Sequence, residues 1–174
     1  MKACILVLLL AVTAQAQDVR RWSMTTGNVT LAAAATAVTI QQPATGSVNV
    51  QLENAIVYCS VACQVSQSRA GTAATATAGT VRPLGSTPIG YSAPFNFFTA
   101  SDVGAGTSQG GIIYVPAGGT VNICLSTLAP GCAGSGPVAP ITLVTGNTNM
   151  NYTISVASMT GDVNITLYAR TANQ

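Results

Sequence analysis

Histidine is missing from this 174-residue chain, and its carboxylates are only Asp18, Glu53, Asp102 and Asp162. General acid–base catalysis, nucleophile activation and metal ligation draw on His, Asp, Glu, Lys and Cys. A serine nucleophile would lack its usual base, so the many Ser residues read as surface and turn chemistry. Paired carboxylates could serve a glycosidase. Glu53 and Asp102 could meet in space, but nothing in their spacing requires it; Asp18 lies near the terminus and Asp162 follows a glycine, as a turn residue would. The expectation is a protein that is not an enzyme, with no catalytic residue, cofactor or metal.

Two residues stand out as candidates for ligand binding. Asp102 lies in Ser101-Asp102-Val103-Gly104-Ala105-Gly106-Thr107, after the aromatic run Phe95-Asn96-Phe97-Phe98. A carboxylate beside flexible glycines can approach a sugar hydroxyl or a Ca²⁺ ion, although the repeated acids of a calcium loop are absent. Read plainly, the segment is a loop after a buried strand. Tyr168 interrupts the polar face of an alternating segment, so it is either an exposed sugar platform or packed on a neighbouring element. Trp22, the sole tryptophan, is expected to pin the N-terminal segment to the domain. Asn28, Asn151 and Asn164 each open an Asn-x-Thr acceptor pattern, a match that an Asn- and Thr-rich chain produces by chance. Thr75-Ala76-Thr77 is read as low-complexity strand and not as an ice-binding array.

The remaining chemistry belongs to cysteine. Cys59, Cys63, Cys124 and Cys132 follow the N-terminal segment 1–16, which itself contains Cys4. An even count in an exported domain reads as two disulfides. Four residues of regular strand span roughly 13 Å, whereas bridged Cα atoms sit about 4.4–6.8 Å apart. A Cys59–Cys63 bond therefore requires Ser60-Val61-Ala62 to bulge or turn. Cys124 and Cys132 flank a plausible return loop containing Leu128-Ala129-Pro130-Gly131. Local bridges 59–63 and 124–132 are favoured, against an arrangement in which Cys59 and Cys63, on an apolar face with Val57, Val61 and Val65, reach across to the other pair. Zinc fits poorly, because the second spacing is longer than usual ligand pairs and export favours oxidation.

Export itself is read from the N-terminus. Met1-Lys2 precedes an apolar stretch over residues 5–12, and Ala14-Gln15-Ala16 offers small residues at a cleavage site. This is the order of a secretory signal peptide, so residues 1–16 are expected to be removed and 17–174 to form a single domain. The apolar stretch is about half the ~20 residues of a spanning helix. The expected location is secreted: extracellular, cell-surface or periplasmic. Past residue 16 the chain keeps five Arg and no Lys, one cation more than its acids. No basic stripe is present for phosphate tracking, so nucleic acid is not an expected partner. No membrane span is expected once the signal is cleaved.

The elements that must position these residues are strands. Val48, Val50 and Leu52 alternate with Asn49, Gln51 and Glu53; Val121, Ile123 and Leu125 with Asn122, Cys124 and Ser126. Met150, Tyr152, Ile154 and Val156 behave likewise, as do Val163, Ile165 and Leu167. Successive strand side chains point to opposite faces, so these are half-buried antiparallel strands. Thr160-Gly161-Asp162 and Pro116-Ala117-Gly118-Gly119 read as hairpin turns between consecutive strands, with further turns at Ser68-Arg69-Ala70-Gly71 and Thr45-Gly46-Ser47. Leu31 to Ala35 is helix-friendly yet uncapped, and equally compatible with strand or loop. Long loops are expected over 83–94 and 128–140. The fold class is all-β: an antiparallel β-sandwich, jelly-roll or Ig-like.

Exposed sheet edges are commonly guarded by charge, especially Lys. This chain has few such guards. Self-association, or a surface or matrix partner, is therefore expected of a structural, cell-surface or assembly protein. The alternative is an extracellular binding module for carbohydrate or another surface ligand, using the region around Asp102 or Tyr168.

Overall fold

The computed structural model describes residues 20–31, 35–41, 48–70, 77–85, 87, 90–99, 107–108, 111–127, 129, 131–132, 141–144, 151–157 and 160–172. The expected signal segment 1–16, Asp102 and the turn expected at 45–47 lie outside them. The described strands are β1 (Arg21–Thr25), β2 (Val29–Leu31), β3 (Ala35–Gln41), β4 (Asn49–Cys59), β5 (Cys63–Ala70), β6 (Thr77–Ala78) and β7 (Thr80–Leu84). They continue as β8 (Asn96–Thr99), β9 (Thr107–Ser108), β10 (Ile113–Val115), β11 (Gly119–Cys124), β12 (Thr142–Leu143), β13 (Asn151–Ala157) and β14 (Gly161–Ala172). No helix occurs among the described residues.

Two antiparallel sheets result. The first runs β11-β4-β14-β1-β7, with β12 also on β4 and β2 also on β14. The second runs β10-β5-β13-β3-β8-β6, with β9 also on β5. Alternation sends Trp22, Met24, Leu52, Val57, Ile165 and Leu167 inward from the first sheet, and Val38, Ile40, Val65, Phe97 and Ile154 inward from the second; all join one buried cluster. That apolar contact is what holds the sheets together, at roughly 1.5–3 kcal/mol per large side chain removed from water.

Consecutive strands seldom pair, and here the expected hairpins are corrected. β10 and β11 lie in different sheets, as do β13 and β14. Pro116 to Gly118 form a corner at which one ribbon bends from sheet to sheet, and the chain likewise changes sheets between β13 and β14. β4 and β5 make a third such corner at Ser60 to Ala62. The corners lie side by side: Ser60 N donates to Asp162 O (2.9 Å) and Gly118 N donates to Cys59 O (2.9 Å). Glycine is required at one of them, since a Cβ on Gly119 would come within 2.8 Å of the Pro116 carbonyl oxygen. Asp162 is accordingly no turn residue but sits in β14, where its carboxylate accepts a hydrogen bond from Thr30 Oγ1 at 2.6 Å. Ser68 to Ala70 likewise continue β5 instead of turning.

Both local disulfides are present, Cys59–Cys63 and Cys124–Cys132, with Cα separations of 6.4 and 5.5 Å. The first closes the β4–β5 corner. It turns Val61 outward to 42% exposure, so Val61 does not share the apolar face of Val57 and Val65.

One buried phenol gives the fold an alkaline limit. Tyr152 is fully buried in the core, and its hydroxyl donates to Gln67 Oε1 at its one reach toward the polar side. Burial pushes its pKa far above the ordinary tyrosine value. An unfolded tyrosine ionises near about pH 10. Stability is therefore intact below about pH 10 and falls as pH rises beyond it, by about 1.4 kcal/mol per pH unit, until the folded phenol itself ionises. Urea midpoints should hold up to about pH 10 and then decline toward this slope above it in the native protein, and stay flat in Tyr152→Phe. Equal slopes in both proteins would assign the loss to other groups.

Candidate functional site

A β-bulge builds a concavity on the first sheet. In the β4–β14 ladder Tyr168 faces Asn54 and Ala169 faces Leu52, so Glu53 is the extra residue with no opposite number. Bulges re-aim side chains and increase local twist. Here the bulge shifts the inward phase from Val50 and Leu52 to Ala55 and Val57, all fully buried. Glu53 and Asn54 leave the core side together. On the neighbouring strands Arg21 and Tyr168 also alternate outward, between inward Trp22 and inward Leu167 and Ala169.

These outward residues line a pocket of about 390 Å³ on the outer face of the first sheet, together with Ile56, Leu84 and Gly85. Ligand pockets begin at roughly 300 Å³. One wall is the turn after β7. Gly85 takes a left-handed backbone conformation (φ +62°) and Thr87 N donates to Leu84 O at 3.2 Å. Thr87 Oγ1 then accepts from Arg21 N (3.0 Å) and donates to Arg21 O (3.2 Å), which ties the turn to β1. On the other flank Asn54 Nδ2 donates to Asn122 Oδ1 at 3.0 Å, and the Asn122 amide lies 3.9 Å from Cys132 Sγ in the disulfide-closed loop.

The electrostatic centre is an ion pair. Arg21 Nη2 stands 3.1 Å from Glu53 Oε1; the carboxylate side chain is 6% exposed and the guanidinium side chain 43%. No donor is aligned on Glu53 Oε1 for a hydrogen bond. A buried carboxylate retains its charge only when paired or hydrogen-bonded, so Arg21 is what keeps Glu53 tolerable there. The guanidinium is half-exposed and has N–H donors beyond the one facing Glu53. The pair as a whole carries no net charge.

Of the two residues singled out in the sequence for ligand binding, Tyr168 lines this pocket, half-buried against its neighbours, while Asp102 lies outside the described residues. Arg21 was not singled out, and Glu53 was weighed only as a carboxylate that could meet Asp102. The signal for Glu53 was nevertheless present: the apolar positions step from Leu52 to Ala55, three residues instead of two, as an inserted residue demands. Among the described residues no three His, Cys, Asp or Glu side chains cluster as a metal site. Asp162 is six positions before Tyr168 on the same extended strand, roughly 20 Å away. Glycosidase carboxylates work in pairs about 5–9.5 Å apart. Glu53 and Asp162 do not form such a pair. The acceptor Asn28 is exposed, and Asn164 Nδ2 donates to its Oδ1 at 3.3 Å.

No protein-family model, no curated protein and no solved structure matches this chain.

Proposed function

We propose that this is an exported, non-catalytic jelly-roll protein with a surface or assembly role, joining a second copy through one sheet edge. The jelly-roll reading rests on connectivity. Four ribbons, β2–β3, β4–β5, β10–β11 and β13–β14, each pass from the first sheet to the second or back. They stack as β2-β14-β4-β11 above β3-β13-β5-β10. Two interleaved Greek keys in two sheets give that order. The two disulfides and the apolar N-terminal run support an oxidising destination. A fold of this type hosts many functions, so the role must come from the surface.

The observation that carries the reading is an asymmetry between edges. At one side of the first sheet β7 presents exposed Arg82 and the proline Pro83, both devices that discourage strand addition. The opposite side is the β10–β11 ribbon, which from Gly111 to Cys124 contains no charged residue. Tyr114 is 71% exposed there and Ile112 58%. Among the described residues β10 and β11 hydrogen-bond only to β5 and β4, on one flank each. Pairing of this ribbon with the same ribbon of a second copy is like-to-like and closes as a two-fold dimer. The expected result is a concentration-dependent monomer–dimer equilibrium by light scattering, abolished by the double change Thr120→Lys and Tyr114→Lys. Monodisperse monomer at every concentration would remove the proposal.

A further inference from the structure

We infer that the pocket built by Arg21, Glu53 and Tyr168 is a binding site for a neutral saccharide, distinct from the assembly edge. The chemistry of the lining selects the ligand class. Arg21, its side chain 43% exposed, offers donors to the pocket, while Glu53, whose Oε1 is closed to solvent, holds that guanidinium in place. A sugar hydroxyl can accept from the guanidinium and leave the ion pair intact. The two charges already cancel within the 3.1 Å ion pair, so an ionic ligand would gain little and would have to break that pair to be paid in kind. The apolar wall of Ile56, Leu84 and the Tyr168 ring matches the C–H face of a sugar. The bulge that brings Glu53 to this face is a built feature, because a regular ladder would send every second residue of β4 outward and leave no adjacent pair there.

The pocket is also held open from both sides. Thr87 fastens its outer wall to both backbone polar groups of Arg21, and the Asn54–Asn122 hydrogen bond fixes its inner wall. Rigid walls lower the ordering cost of binding. Hydrogen bonds fix orientation, and the stacked ring supplies most of the contact area.

The test is an array of neutral mono- and oligosaccharides probed with the exported protein, followed by calorimetric titration of the best hit. Binding of at least one neutral glycan is expected. Tyr168→Ala should weaken it about tenfold or more by removing the aromatic contact. Glu53→Gln should weaken it too, and because that side chain is buried, Ile56→Trp serves as a second variant that fills the pocket while leaving the ion pair in place. Each variant is checked by circular dichroism for native strand content. Binding lost in Ile56→Trp and Tyr168→Ala with the fold intact supports the site. No neutral glycan bound, binding unaffected by both changes, or binding confined to charged sugars or peptides would overturn it. Thr120→Lys with Tyr114→Lys should leave glycan binding unchanged, which separates this result from failure of the dimer.

Discussion

Trp22→Ala should lower the unfolding free energy by about 3–5 kcal/mol, the range for truncating a buried large aromatic residue. Folded domains are stable by only about 5–15 kcal/mol in total, so the variant approaches the limit of folding. The size follows from position. Trp22 is 1% exposed in β1, which is flanked by β14 and β7, and it meets Phe95 edge-on with ring centroids 5.7 Å apart. Nothing nearby can collapse into the space without moving two strands. Trp22→Phe separates volume from polarity. The indole N–H is buried with no hydrogen-bond partner among the described residues, so losing it relieves a cost that partly offsets the smaller ring. A net loss of about 1 kcal/mol is expected for Phe. Urea melts followed by far-UV circular dichroism measure both, since either change removes the chain's only tryptophan signal. A loss below about 1 kcal/mol for the alanine variant would mean that β1 is not part of the core.

Removing both disulfides should cost nearly as much. Chain-entropy bookkeeping assigns about 2 kcal/mol to the short Cys59–Cys63 loop and about 2.5 kcal/mol to Cys124–Cys132. Together they amount to a large share of a marginal stability. Cys59 and Cys132 are completely buried and Cys63 nearly so, while Cys124 is partly exposed, so reductant must wait for local opening at the first bridge and meets the second more readily. The expected behaviour is slow reduction of Cys59–Cys63 in native buffer, its rapid reduction in urea, and a midpoint shift of the reduced protein toward that of the Cys-to-Ser double pairs. Cys59→Ser with Cys63→Ser should also loosen the β4–β5 corner, visible as faster amide exchange at Ser60 and Asp162, which are hydrogen-bonded across it. Stability indifferent to reductant would show that burial alone sustains the corners. It would also weaken the case for an oxidising compartment.

Much of this architecture was legible in the residues. Period-two alternation at Val121–Ile123–Leu125, Tyr152–Ile154–Val156 and Val163–Ile165–Leu167 assigned strands and inward faces correctly. The reach of a disulfide against the length of a strand was enough to favour two local bridges. Turn chemistry was less informative. Pro116, Gly118 and Gly161 mark bends in either case, and a bend between sheets uses the same residues as a hairpin within one. Tyr168 stood out because it breaks a polar face, whereas Arg21 carried no signal of its own and Glu53 read as an ordinary polar alternate in its strand.

Alternation is a property of one strand, and it reports which side of a sheet a residue faces because backbone geometry fixes that locally. Hence the all-β class, the composition of the core and the scarcity of catalytic groups belonged to the sequence alone. Which strands become neighbours depends on how two apolar faces can close over each other, a choice made among segments more than a hundred residues apart, as β1 and β14 are. Tertiary structure alone therefore decided the sheet order, the uncharged edge, and the pocket where β1, β4, β7 and β14 bring Arg21, Glu53, Leu84 and Tyr168 together.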